Sequence, residues 1–155
     1  RGRRRPAFVG AREQRSLRRL DGLRRAFEAH GVHELSEELV PPNADLSVGT
    51  AAMQALLDRR PDVDAVFCSN DVLAAGALKA AQARALAVPG QLSVVGFSDM
   101  PIARACSPEL STVRISPPLL GRRAADRLLE RLAGQPATGS RREDVGFELI
   151  PRGSS

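Results

Sequence analysis

The chain has 155 residues, of which 43% are hydrophobic, and this is enough to build a core and excludes disorder over most of its length. Its aromatic residues are five Phe without Tyr or Trp, so no aromatic platform is available for stacking on single-stranded nucleic acid. The net charge of +5 rests on arginine, partly in residues 1–5 and otherwise beside Glu and Asp along predicted helices, which indicates ordinary solvated surface.

The two cysteines, Cys68 and Cys106, are isolated in apolar or small-residue surroundings, so we expect free thiols of the kind common in cytosolic proteins. No apolar run reaches the roughly 18 residues of a membrane span, and no signal sequence precedes the first predicted strand. The chain starts without Met at residues 1–3 (RGR). We therefore expect a fragment of a cytoplasmic protein that has no membrane partner.

Strand and helix patterns alternate along the chain. Short apolar runs predict strands at 7–9, 34–40, 65–68, 92–95, 111–115 and 147–150. Apolar residues at helical spacing predict helices at 16–29, 48–57, 71–85 and 118–133. Candidate caps are Asn43, Asp45 or Ser47 for the second helix and Ser116, followed by two prolines, for the last. The alternation predicts an α/β fold, a parallel sheet flanked by helices on both faces.

Polar side chains follow two of these strands directly. Residues 65–68 run into Ser69, Asn70 and Asp71, and residues 92–95 run into 96–99 (GFSD). The segment after the first strand adds four arginines: Arg12, Arg15, Arg18 and Arg19. Because ligands of open parallel sheets bind outside the carboxyl ends of the strands, the three segments predict a site for a small polar ligand. The alternative, that Asn70 and Asp71 merely cap a helix, leaves the polar 96–99 segment unexplained.

Several motifs of this sequence resemble the lactose/galactose-repressor family of bacterial transcription regulators. They occur in order over nearly the whole chain, and together they are specific: 19–22 (RLDG), 69–78 (SNDVLAAGAL), 88–99 (VPGQLSVVGFSD), 108–113 (PELSTV), 120–129 (LGRRAADRLL) and 152–155 (RGSS). The resemblance implies one lobe of a two-lobed domain like a periplasmic binding protein. It assigns residues 1–115 to the C-terminal lobe, 116–142 to a helix and loop crossing toward the other lobe, and 143–155 to a final strand and tail.

The resemblance also implies a function and its residues. The family senses small-molecule effectors, usually sugars, and binds operator DNA through a helix-turn-helix that this chain lacks, so it implies a dimeric repressor without cofactor or metal. Arg19, Asn70 and Ser98 would face the effector, with Asp71 and Asp99 in support. The family's dimer surface points to four positions, among others in the stretch 102–106: Ala75, Leu78, Ile102 and Cys106.

Two positions depart from the family pattern. Sugar-sensing relatives usually carry Asp where this chain has Ser98, and the change removes a negative charge beside an arginine that stays protonated. We therefore hypothesise an anionic effector, such as a sugar acid, held by Arg19. Leu46 lies near the position where relatives often stack an aromatic ring on the sugar, so a pyranose effector is disfavoured.

Two other classes of protein remain as alternatives. An enzyme would need a nucleophile and a base, but 96–100 (GFSDM) lacks the second Gly of a nucleophile elbow, and Cys68 reads as a core residue. His30 and His33 read as solvated rather than as metal ligands. A periplasmic-type sugar-binding protein of a transport system shares the predicted fold. A helix-turn-helix upstream in the full gene would distinguish the regulator from the transport protein.

Overall fold

The computed structural model describes residues 2–134 and 143–155, and within them strands and helices alternate as predicted. The strands are β1 Pro6–Ala11, β2 Ser36–Val40, β3 Ala65–Cys68, β4 Ser93–Phe97, β5 Ser111–Arg114 and β6 Glu148–Ile150. The helices are α1 Gln14–Glu28, α2 Leu46–Arg59, α3 Asp71–Ala83, α4 Pro101–Ala105 and α5 Pro117–Leu132. The loop predicted after α5 lies, from residue 135 to 142, outside the described residues.

One six-stranded sheet has the order β2-β1-β3-β4-β5-β6. Strands β1 to β5 run parallel, as predicted for βαβ units, but β6 pairs antiparallel with β5. The prediction of a parallel sheet is thus wrong at this edge. Strand direction is set by where the chain re-enters after α5, and a hydrophobic pattern carries no information about direction. In the register of the pair, Arg114 lies opposite Glu148.

Helices α2 and α3 cover one face of the sheet and pack closely on each other. The core between them and the sheet is aliphatic, and its fully buried large side chains include Leu56, Leu57, Leu73, Val66 and Val94. Small residues bring the two helices together: a methyl group added at Gly76 would lie 2.6 Å from the backbone nitrogen of Thr50. Of the candidate caps of α2, Asp45 accepts the hydrogen bond, from the Val48 amide.

Helix α1 lies against the other face and covers only part of it. Leu20 of this helix is buried, but Leu17 is 43% exposed. Phe67 and Val95 are only half-buried, so this side of β3 and β4 is not fully covered. They border an apolar cavity of about 330 Å³ together with Leu23 and Phe27 of α1, Val113 of β5 and others.

Helix α5 begins at the predicted cap, where the Ser116 hydroxyl accepts a hydrogen bond from the Leu119 amide. It has no buried residue along its length. Its leucines stand open to solvent, with Leu128 at 59%, Leu129 at 62% and Leu132 at 76% exposure. Among the described residues, no helix is long and apolar enough to cross a membrane.

Candidate functional site

Arg19 of α1 contacts the ends of two neighbouring strands, β3 and β4. Its guanidinium donates a 2.9 Å hydrogen bond from Nη1 to the carbonyl of Ser69, directly after β3. The same guanidinium carbon lies 3.7 Å from the centre of the Phe97 ring, at the end of β4. The arginine therefore contacts residues immediately preceding Asn70 and Ser98. The three segments predicted to supply the site do meet at the carboxyl edge of the sheet.

The electrostatic surroundings of Arg19 are positive. Burial lowers the pKa of its guanidinium, the neighbouring charge of Arg15 lowers it further, and Glu13 acts in the opposite direction. Within the part of the chain that the structure describes, no carboxylate lies within ion-pair distance of Arg19. A half-buried cation without a carboxylate partner can pair with an added anion.

Asn70 caps helix α3. Its Oδ1 accepts a 2.9 Å hydrogen bond from the Leu73 amide, which is the structural role considered as the alternative for this residue. In residues 2–134 and 143–155 no acceptor binds its Nδ2, and the side chain is half-buried rather than sealed. Asn70 thus combines a fixed orientation with an amide group that stays available to a ligand.

Asp71 lies behind the edge rather than on it. The residue is fully buried, its Oδ1 accepts a 2.6 Å hydrogen bond from the Thr112 hydroxyl, and its Oδ2 accepts one of 2.6 Å from the Met100 amide. These bonds tie the start of α3 to β5 and to the segment between β4 and α4. Asp71 supports the segment that carries Ser98, and both of its oxygens are already engaged.

Ser98 and Asp99 form a tight bend after β4. Ser98 has φ 110° and Asp99 has φ 53°, and residues other than Gly, Asn and Asp rarely adopt a positive φ. Backbone contacts anchor the bend, because the Ser98 amide donates to the carbonyl of Val113 at 2.8 Å. The Asp99 amide donates to the Thr112 hydroxyl at 3.3 Å.

The Asp99 carboxylate is held between two arginines. Oδ1 accepts a 2.5 Å bond from Nη2 of Arg152, and Oδ2 accepts a 2.7 Å bond from Nε of Arg114. Burial favours the neutral acid, but the two arginines outweigh it and lower the pKa of Asp99 below its ordinary value. Since both oxygens are occupied, Asp99 is placed to support the bend rather than to receive a ligand.

Sequence reasoning missed the role of the tail. Besides its bond to Asp99, the side chain of Arg152 donates to the carbonyl of Leu110 at 2.7 Å. Ser154 is fully buried, and its hydroxyl donates to the Val94 carbonyl and accepts from the Ser111 amide. The motif at 152–155 (RGSS) was noted as a family signature, but only the folded chain brings it between β4 and β5.

The four residues predicted at the dimer surface differ in their solvent exposure. Ala75 and Leu78 are each only 6% exposed in the single chain, and Leu78 belongs to the main core. Ile102 and Cys106 of the α4 region are half-buried, and the Cys106 thiol donates to the carbonyl of Ile102. Helix α3 therefore offers little apolar surface through the two predicted residues, whereas the α4 region offers more.

The residues weighed for other chemistry are dispersed. No three His, Cys, Asp or Glu side chains of the described residues are placed to hold a metal ion. His30 and His33 are exposed, and the Nδ1 atom of His30 lies 2.8 Å from the Ala26 carbonyl oxygen. Cys68 is fully buried, and burial raises the pKa of its thiol, with a further contribution from Asp71. Such a thiol is a core residue and a poor nucleophile.

A sheet of five parallel strands with polar residues at its carboxyl edge is the architecture of a ligand-binding lobe, and the comparison with known proteins agrees. A model of the periplasmic binding protein-like domain matches residues 1–155, and the chain belongs to this family. The resemblance to regulators of the lactose/galactose-repressor family is confirmed by the relatives described next.

The chain is similar to several transcription regulators. It is 41% identical to the HTH-type transcriptional regulator GntR of Pseudomonas aeruginosa, over 100% of this chain and 46% of that protein. The crystal structure of transcription regulator GntR from Chromobacterium violaceum superposes with a TM-score of 0.92 at 40% identity, covering 99% of this chain and 57% of that one. A transcriptional regulator CelR–cellobiose complex gives a TM-score of 0.87 at 32% identity, covering 99% and 47%. The chain thus spans about half the length of these proteins.

Proposed function

We propose that this chain is the effector-sensing and dimerisation part of a DNA-binding transcriptional repressor that responds to a sugar acid, and that it is not an enzyme. Its similarity to HTH-type regulators supports the general role. One observation carries the choice of effector: Arg19 has no carboxylate partner among the described residues, while Asp71 and Asp99 are both engaged internally.

The balance of charge at the site favours an acid over a neutral sugar. A neutral sugar offers hydroxyl donors, and a free carboxylate is the acceptor that binds them most strongly. Here the position that usually supplies one is Ser98, and the neighbouring carboxylates are held by Thr112, Met100, Arg114 and Arg152. An effector carboxylate would instead supply a negatively charged partner for Arg19.

The polar groups suggest a division of roles. The guanidinium of Arg19 is fixed by Ser69 and Phe97, so it can bind a carboxylate without first losing much side-chain freedom. The Nδ2 of Asn70 and the hydroxyl of Ser98 would bind effector hydroxyls. The cellobiose complex of the related CelR shows that a neutral sugar is bound in that protein. We expect the charge at the position of Ser98 to separate the two specificities.

We place the chain within a larger two-lobed domain. Residues 1–115 and 143–155 would form one lobe, and residues 116–142 would cross to the other, which agrees with the absence of any buried residue in α5. An effector bound between the lobes shifts the equilibrium between their arrangements by its difference in affinity for them. In a cytoplasmic homodimer this shift would change the spacing of helix-turn-helix heads on operator DNA.

The proposed dimer surface centres on the α4 region. Ile102 and Cys106 expose part of their side chains, and Met100, the N-cap of α4, is 41% exposed. The burial of Ala75 and Leu78 leaves them a minor share of any contact. We expect substitution of Ile102 by Asp to weaken self-association, measured by sedimentation, more than substitution of Leu78 by Ala.

The effector is tested by thermal shift with two matched probes on the intact protein that contains this chain. Glucuronate and glucose share a pyranose ring and differ in one carboxylate, and gluconate adds an open-chain acid. We expect stabilisation by an acid probe and not by glucose. The Arg19→Ala variant should lose this stabilisation, whereas Arg18→Ala, which removes the same charge from an exposed position of α1, should keep it.

Different results of the thermal-shift experiment would contradict the anionic effector, the role of Arg19 or the choice of sugar acids. Stabilisation by glucose or cellobiose instead of the acids would keep the sensor and overturn the anionic effector. An equal loss in Arg18→Ala and Arg19→Ala would show that net charge, and not the Arg19 position, produces the effect. A response to operator DNA that no probe alters would contradict the choice of sugar acids as effectors.

A further inference from the structure

The two arginines that hold Asp99 lie on either side of residues 115–147, the part of the chain between β5 and β6, which we call the excursion. Arg114 is the last residue of β5, after which the chain leaves the sheet for α5. Arg152 follows β6, where the chain has returned. Asp99 accepts hydrogen bonds from Arg114 at 2.7 Å and from Arg152 at 2.5 Å. A single carboxylate thus joins the outgoing and the returning segment.

The contact between Asp99 and Arg152 is sheltered from solvent. The side chain of Asp99 is 8% exposed and that of Arg152 is 9% exposed, so their ion pair is screened far less than those on the surface. Arg114 also pairs with Glu148 of β6 at 3.2 Å, across the antiparallel register of β5 and β6. Asp99, Arg114, Arg152 and Glu148 therefore lie where the excursion begins and ends. Helix α5, within the excursion, has no buried residue.

The same carboxylate belongs to the bend that presents Ser98. Ser98 at φ 110° is in a conformation that a non-glycine residue holds only when its surroundings enforce it. The amide bond from Ser98 to Val113 and the side-chain bonds of Asp99 fix the bend from both sides. A shift of β5 relative to the returning segment would pull the two arginines apart and release the bend.

We infer that Asp99 is a positioning residue that holds Ser98 toward the effector and links its orientation to the spacing of the two segments that carry Arg114 and Arg152. The inference rests on the proposed function in taking Ser98 as an effector contact. Beyond that function, the side chains of Asp99, Arg114 and Arg152 connect the site to the excursion. Movement of the segment beyond Arg114 and effector binding at Ser98 then influence each other reciprocally.

The first test needs no effector. Hydrogen–deuterium exchange is compared in the intact protein and in Asp99→Asn, with Glu37→Gln as the matched control. Glu37 accepts a paired contact from Arg24 at the opposite edge of the sheet, so the control also removes one arginine–carboxylate pair. We expect faster exchange in peptides covering both 98–100 and 148–154 in Asp99→Asn, and in neither segment of the control.

The second test is a double-mutant cycle with glucuronate or gluconate as the probe, whichever stabilises the intact protein. Asp99→Asn should weaken binding by about tenfold in the parent and by less than about twofold in the Ser98→Ala background, because Asp99 acts through Ser98. Arg152→Gln, which keeps the carboxylate, should show the same non-additivity. It serves as the second variant if Asp99→Asn folds poorly.

Each possible result either supports the positioning role of Asp99 or contradicts it. Unchanged exchange at 98–100 in Asp99→Asn would overturn the positioning role whatever binds. Equal weakening in the parent and the Ser98→Ala background would reduce Asp99 to a structural residue. If none of the acid and neutral probes binds the parent, the proposed effector class fails, and the exchange experiment alone still confirms or overturns the link between the bend and the returning segment.

Discussion

The guanidinium carbon of Arg19 lies 3.7 Å from the centre of the Phe97 ring, so the cation proposed to meet the effector rests on an aromatic face. Contacts of this kind contribute about 0.5–1 kcal/mol at partly exposed sites. The ring also limits the positions that the side chain can take. Phe97 is therefore a residue of the candidate site that the pattern of polar residues at strand ends did not indicate.

Phe97→Leu is expected to weaken binding of the acid probe about two- to fivefold, because it removes the cation–π contact and keeps an apolar side chain. Isothermal titration of the intact protein measures the change. Phe147→Leu, at a position 78% exposed, is the control and should leave the affinity unchanged. An unaltered affinity in Phe97→Leu would mean that Ser69 alone orients Arg19.

Gly96→Ala is expected to destabilise the protein by about 2–3 kcal/mol. The added methyl group would overlap Oδ1 of the buried Asp71 and lie 2.9 Å from Cδ2 of Leu110, so the bond between Asp71 and Thr112 must break or the core must shift. Urea unfolding measures the free energy. Gly121→Ala on exposed α5 meets no atom within 4 Å, and we expect it to be neutral or slightly stabilising.

The contribution of Asp99 to stability should depend on pH in the acid range. Its folded-state pKa is lowered: burial raises it, but Arg152 and Arg114 together outweigh burial. A group with a depressed folded pKa stabilises the protein fully above its unfolded pKa of about 3.9, and loses this contribution as the pH falls through the folded value. The difference in unfolding free energy between the parent and Asp99→Asn should thus be constant near neutrality and shrink below about pH 4. Urea unfolding at pH 7, 5 and 3 measures it, and a difference that stays the same to pH 3 would contradict the ion pair.

Leu132→Lys tests whether α5 serves a second lobe. The side chain is 76% exposed in this chain, so the substitution should leave the melting temperature of the 155-residue chain unchanged. In the intact protein we expect a lower melting temperature, because the lysine would meet an apolar surface of the other lobe. Arg122→Lys, at an exposed position of the same helix, is the control for both. Equal melting temperatures for the intact parent and the intact Leu132→Lys protein would contradict the proposed crossing.

Local pattern predicted the elements and the edge at which the site lies. Helical spacing and the strand at Ala65–Cys68 needed only neighbouring residues, and the polar groups after β3 and β4 meet because parallel strands end at one edge. Boundaries were less accurate. Strand β1 was predicted at 7–9 but continues through Gly10 to Ala11, because pairing with β2 extends it.

The amino-acid sequence by itself therefore determined the fold class, the family and the carboxyl edge as the place of the candidate site, since these follow from periodicity and from motifs in order along the chain. Only the tertiary structure decided whether the carboxylates of Asp71 and Asp99 are free to bind a ligand. Asp71 and Asp99 read as equivalent polar residues after strands, yet Asp71 is bound by Thr112 and Asp99 by Arg114 and Arg152, the latter 53 residues away. The antiparallel return of β6 and the burial of Ser154 are likewise contacts between distant segments. Hydrogen bonds of this kind depend on where the chain returns in space, and no local pattern encodes that position.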